Sequence, residues 1–206
     1  MSNLVKQIET MLELQKAMNS KVNPDWQNQG FEWYRAIWIE CGEMLDHYGW
    51  KWWKKQEIDL PQVQLELVDI FHFGLSLHLC NDQNTETLAT SLAEQMDTIL
   101  DYDDFKLALE ELACDALSSR SFNISAFATC LTLAQMTTND LFKQYVGKNT
   151  LNFFRQDHGY QDGTYIKVWN GREDNEYLVD ILNQLSADSE EFQQLVYQGL
   201  EQHYPA

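Results

Sequence analysis

The chain has 206 residues, 44% hydrophobic and 13% aromatic, enough to bury a core and too apolar for a disordered acidic tail. A formal net charge of −18 argues against nucleic acid or an anionic membrane as a partner, because both require a basic footprint. Three prolines and nine glycines are too few for many short strands joined by tight turns, and they favour an all-α fold of long helices.

In chain order, residues 1–23 read as a helix with Leu4, Ile8, Met11, Leu12, Leu14 and Met18 as its apolar positions. Its first ten residues carry no signal-peptide core, and no apolar run approaches the ~20 residues of a membrane span. Cys41, Cys80, Cys114 and Cys130 form no C-x-x-C pair, so reduced, mostly buried thiols in a cytoplasmic protein are expected. A second helix is expected from about Gln27 to Tyr48, with Tyr34, Trp38, Cys41 and Leu45 as its apolar strip and Gly49 as its stop. The connector WKWWKKQEIDLP leads to Pro61, which suits the first turn of a third helix over about 61–80.

From Gln83 to Tyr145 the pattern predicts three helices, capped by Asp82 or Asn84, by Asp103, and by Asn123 or Ser125. Residues about 82–145 hold no cluster of reactive groups and read as a subsidiary helical lobe or a dimer-contact region within a single domain, 1–206. A helix over about 139–157 follows, then an extended piece at Tyr165-Ile166-Lys167-Val168-Trp169 between QDG and NG turns. Helices over about 173–185 and 189–203 close the chain.

The third helix is apolar all round: Val63, Leu65, Leu67, Val68, Ile70, Phe71, Phe73, Leu75, Leu77 and Leu79 point in nearly every direction. Such a helix is a buried one. On it Gln62, Glu66, Asp69, His72 and Ser76 fall on one stripe. Two carboxylates one turn apart in an apolar setting need a cation or a proton. The second helix offers another pair three apart, Glu40 and Glu43, flanked by Trp33, Ala36 and Ile39. Facing each other, the pairs would make an all-oxygen cage in a helical bundle, which suits Mg²⁺, or Mn²⁺ in its place, rather than zinc. Surface acid pairs are the alternative. Asp69-x-x-His72 also has the form of a di-iron ligand pair, but the other histidines supply no second copy.

Lysine and arginine total only 14, and Lys148, Asn152 and Arg155 share one helical face, with Tyr160 and Lys167 close behind. Point charge, a planar fork and neutral donors together match a polyphosphate. A solvated basic face is the competing reading. Gln15 and Asn19 lie one turn apart; two amides can read a base edge, though alone they read as ordinary helix-surface residues. The tryptophans of the connector either pack on the core or stack on one base.

Together these segments resemble the dimeric dUTPase family, all-α nucleotide pyrophosphohydrolases related to MazG-like proteins. The likeness rests on LQKAMN, WIECGEMLDHYGWKWWK, ELVDIFHFGLS and KNTLNFFRQDHGYQDGTYIKVWNGREDN, running from residue 14 to 175 and leaving about 82–145 unmatched. The resemblance implies Glu40, Glu43, Glu66 and Asp69 as Mg²⁺ ligands, with Lys148, Asn152, Arg155, Tyr160 and Lys167 on the phosphates. It implies Gln15, Asn19, Trp53 and Asn175 around uracil and deoxyribose. It further implies a homodimer hydrolysing dUTP, and dUDP, to dUMP.

The expected chemistry is attack of a Mg²⁺-activated water on the phosphate chain, with Glu43 as the base that takes the proton. Two alternatives are a related house-cleaning enzyme acting on dCTP or another noncanonical nucleotide, and a non-catalytic acidic helical binding protein.

Overall fold

The computed structural model describes residues 2–81, 84–187 and 191–205. The described residues are 71% helical, so the expected all-α class is the class found. It divides into two compact units, residues 1–141 and 142–206.

The first unit begins with α1 (Asn3–Val22), whose N-terminus is capped by the Ser2 hydroxyl accepting from the Val5 amide. A 3-10 turn at Trp26–Asn28 and Gly30, at φ +66°, separate it from α2 (Trp33–Tyr48). The second helix therefore starts six residues later than the sequence reading placed it. Its buried face also differs: Ile37, Cys41 and Met44 point inward, while Trp38 is 45% exposed. Gly49, at φ +89°, ends α2, a conformation that glycine adopts without strain.

Next comes α3 (Leu60–Asn81), with Pro61 in its first turn as expected. By length and hydropathy alone α3 would pass as a membrane span, although its apolar run is broken by polar residues. Yet 72% of its apolar window is buried inside the structure, and it bears Glu66, Asp69 and His72. It is a core helix. Long contact joins α3 to α2, and α1 and α6 also pack on it.

Residues from 84 to 141 belong to this same unit. There α4 (Thr85–Met96) packs on α1, α5 (Phe105–Ser119) on α2, and α6 (Ile124–Leu133) on α4 and α5. Asn84 caps α4 and Asn123 caps α6, each accepting an amide hydrogen bond as a short polar side chain should. For α5 the cap is Asp104, one residue beyond the expected Asp103. Asp82, the other candidate for α4, lies outside the described residues, and Ser125 instead donates to the Gln95 carbonyl. The core runs through Phe71, stacked on Phe127 at 5.0 Å, and Phe122 sits against Gly74. Of the four thiols, Cys41 and Cys130 are buried, but Cys80 and Cys114 are exposed, fewer buried than expected.

The unit boundary falls inside α7 (Thr138–Asp157). In the second unit the chain turns at Gly159 and forms a hairpin of β1 (Val168–Trp169) and β2 (Arg172–Glu173), antiparallel, with Val168 opposite Glu173. The extended piece is thus shorter than predicted and sits later. Asn170 and Gly171, both at positive φ, make the tight NG turn. Then follow α8 (Asp174–Gln184) and α9 (Phe192–His203). The predicted start of the last helix, at residue 189, lies outside the described residues. Trp169 is fully buried against Phe154, Tyr177 and Tyr204, and its indole N–H donates to the Ile166 carbonyl at 2.6 Å.

Candidate functional site

Because α2 lies along α3, the two acids three apart on α2 meet Glu66 of α3 across the seam. Glu40, Glu43 and Glu66 each present a carboxylate oxygen, and these oxygens lie within 4.8 Å of one another. Their settings differ: Glu66 is buried, Glu40 half-buried and Glu43 exposed. Asp69 is not in this trio, but one turn along from Glu66 its charge bears on Glu40. Burial, then the charge of Asp69, then a hydrogen bond to Glu66 and the charges of Glu66 and Glu43 push the Glu40 carboxyl up to about 8. The His47 Nε2 lies 3.7 Å from Glu66 Oε1, a neighbour that the sequence reading did not foresee.

A cluster of this kind must hold either a proton or a cation. The donors are all oxygen and span a distance that one hard cation bridges, since Mg²⁺ or Ca²⁺ takes oxygens at about 2.0–2.6 Å. The residues present fit a divalent ion.

On the same α3 stripe, Ser76 and His72 meet α1. Gln15 Nε2 donates to the Asn19 Oδ1 and to the Ser76 hydroxyl, both at 2.9 Å, and Asn19 Nδ2 donates to Ser76 Oγ at 3.0 Å. Ser76 donates onward to the His72 carbonyl, and His72 Nδ1 lies 2.7 Å from Gln15 Oε1. Gln15 and Asn19 are therefore buried, not ordinary helix-surface residues. Their partners were out of view because the contact joins residues 57 to 61 positions apart. Trp53 is 57% exposed and packs edge-on with Trp50 and Trp52.

In the second unit, Lys148 is buried and its Nζ donates to Asn175 Oδ1 at 3.3 Å. Arg155 donates to Asn152 Oδ1 at 3.3 Å, and its guanidinium lies 5.8 Å from the centre of the Tyr160 ring. Lys148, Asn152, Arg155, Tyr160 and Asn175 are thus connected; their spacing puts only the first three on one helical face, and Asn175 was expected at the sugar. Lys167 is not drawn in with them. Its ammonium pairs with Glu173 at 3.1 Å and is half exposed.

The residue that holds this group together escaped the sequence reading. Asp174, with no exposed surface, accepts from Arg155 Nε at 2.8 Å and Nη2 at 2.9 Å, from the Tyr165 hydroxyl at 2.8 Å, and from the Asn175 amide. Burial works to raise its carboxyl, but the Arg155 bond and charge, with Tyr165 and the Asn175 amide, hold it below the usual range. In the string Glu173-Asp174-Asn175 an acid at a helix start looks like a surface cap, and no periodicity separates the two.

The helical architecture and the facing acids define a class, an all-α protein with a carboxylate cluster able to hold a hard cation. A protein-family model described as dUTPase matches residues 7–160, and the chain belongs to that family, the dimeric all-α dUTPases. The enzyme class is dUTP diphosphatase, and dUTPases generally use a divalent metal. No curated protein matches the chain.

Proposed function

We propose that this chain converts dUTP, and also dUDP, to dUMP with Mg²⁺ held by Glu40, Glu43, Glu66 and Asp69. The observation that carries the reading is the oxygen cluster of Glu40, Glu43 and Glu66 on α2 and α3, within a chain of the dUTPase family. Mn²⁺ satisfies the same donors. The working form is a homodimer, in keeping with the family, and the four free thiols suit a cytoplasmic setting.

When bound, the divalent ion neutralises phosphate charge and makes a water more acidic. Glu43, the most exposed of the three clustered acids, takes the proton of the attacking water, while the buried Glu66 stays fixed. Lys148 and Arg155 neutralise charge that builds on the phosphates, and Asn152, Tyr160 and Lys167 supply further donors. Gln15 and Asn19, with amides oriented by Ser76 and His72, read the uracil edge. Trp53 stacks on the base and Asn175 meets the sugar.

Product release from dUTP, dUDP, dCTP and dTTP tests the reading. Turnover of the two uracil nucleotides, with dTTP rejected through its methyl group, is expected. Preference for dCTP would move the substrate assignment to a related house-cleaning activity. Glu43→Gln should lose turnover by at least about a hundredfold and still bind nucleotide; wild-type turnover in that variant removes Glu43 from its role.

A further inference from the structure

Arg155 has five N–H donors, and how they are shared bears on what holds it in place. Two of them, on the Nε and Nη2 edge, go to the two oxygens of Asp174 at 2.8 and 2.9 Å. This side-on pairing fixes the plane of the guanidinium as well as its position. The remaining donors lie toward Asn152 Oδ1 at 3.3 Å and Asn175 Oδ1 at 3.5 Å, long bonds that a phosphate oxygen would displace readily. Asp174 is itself immobilised. It is fully buried in the first turn of α8, and it accepts from the Tyr165 hydroxyl and the Asn175 amide. Tyr165 is held in turn by stacking on Tyr204 at 5.5 Å and 16°. Asp174, Tyr165 and Tyr204 all lie beyond residue 160, where the family match ends.

We propose that Asp174 is the positioning residue for Arg155, presenting its opposite edge to the nucleotide's phosphates, and that Tyr165 holds Asp174 for that task. The proposal rests on the reading of Arg155 as a phosphate ligand. Lys148 and Asn175 meet at the same place, since Lys148 donates to the side chain that Arg155 also approaches.

The test is a double-mutant cycle on dUTP hydrolysis with Mg²⁺ present, reading kcat and KM for wild type, Asp174→Asn, Arg155→Ala and the double variant. Loss of a buried charged hydrogen-bond pair predicts that Asp174→Asn lowers kcat/KM about ten- to a hundredfold. Arg155→Ala should lose at least as much, with the loss split between kcat and KM in the same proportion. The double variant should match Arg155→Ala within about twofold, because Asp174 acts through that arginine. Losses that multiply in the double variant would overturn the proposal, as would normal kinetics in Asp174→Asn beside an impaired Arg155→Ala. Normal kinetics in Arg155→Ala would overturn the phosphate reading itself, and this proposal with it. If Asp174→Asn does not fold, Tyr165→Phe, which keeps the ring and removes one donor, takes its place in the cycle. It should show a few-fold loss that vanishes without Arg155.

Discussion

At Glu40, a carboxyl surrounded by Asp69, Glu66 and Glu43 keeps its proton up to about pH 8 when no cation is present. Unfolded, the same group loses its proton near 4.5. The native state therefore binds the extra proton between those values, and this group's contribution to stability is full below about 4.5 and lost as pH rises through about 8. With metal chelated, denaturant titrations should find the protein less stable at pH 9 than at pH 6, and Glu40→Gln should shrink that difference. A difference unchanged by the substitution would show that Glu40 is not the group responsible. Divalent ions, which compete with that proton, should bind more tightly as pH rises over the same window.

Legibility at this scale followed setting. Glu66 and Asp69 stood out because acids inside an apolar helix demand a counter-charge. Glu40 and Glu43 were found by their matched spacing. The burial of Gln15 and Asn19 depends on Ser76, on another helix, which no local pattern reveals. Asp174 was missed for the related reason that its partner, Arg155, is 19 residues away.

Among the elements, α3 was the most readable because an all-round apolar surface has one explanation, burial on every side. Its close packing makes a specific demand at Gly74. A Cβ there would come within 2.2 Å of the Phe122 ring, which must move to admit it. Gly74→Ala should lower stability by about 1–3 kcal/mol, read as a fall in the thermal midpoint. An unchanged midpoint would mean that Phe122 relocates freely. Asn123→Ala, which removes the amide acceptor at the start of α6, should cost about 1 kcal/mol. Boundaries were less readable than identities. The start of α2 was misjudged because Trp26, Gln27 and Asn28 form a 3-10 turn that continues the composition of the helix without its geometry. Its apolar strip was misjudged because Trp38, though apolar, is exposed, as is Ile39 beside it.

For the whole molecule, a net charge of −18 means that self-repulsion works against the folded chain. Monovalent salt should therefore raise the denaturation midpoint of the metal-free protein, and a midpoint independent of salt would show the charges to be too dispersed to matter. The all-helical class was readable from the scarcity of glycine and proline and from helical periodicity. The division at residue 141 was not, because it falls inside α7, where no change in composition marks it.

The proposed activity depends most on acidic oxygens from α2 and α3 serving as the seat of a divalent ion that hydrolysis requires. The direct measurement is dUMP formation from dUTP over a Mg²⁺ titration, for the wild type and for Glu66→Gln. Turnover that is absent under chelation, appears with Mg²⁺ and is lost in the variant at every Mg²⁺ concentration is the predicted result. Turnover without a divalent ion, or a variant that keeps the wild-type Mg²⁺ response, would contradict it.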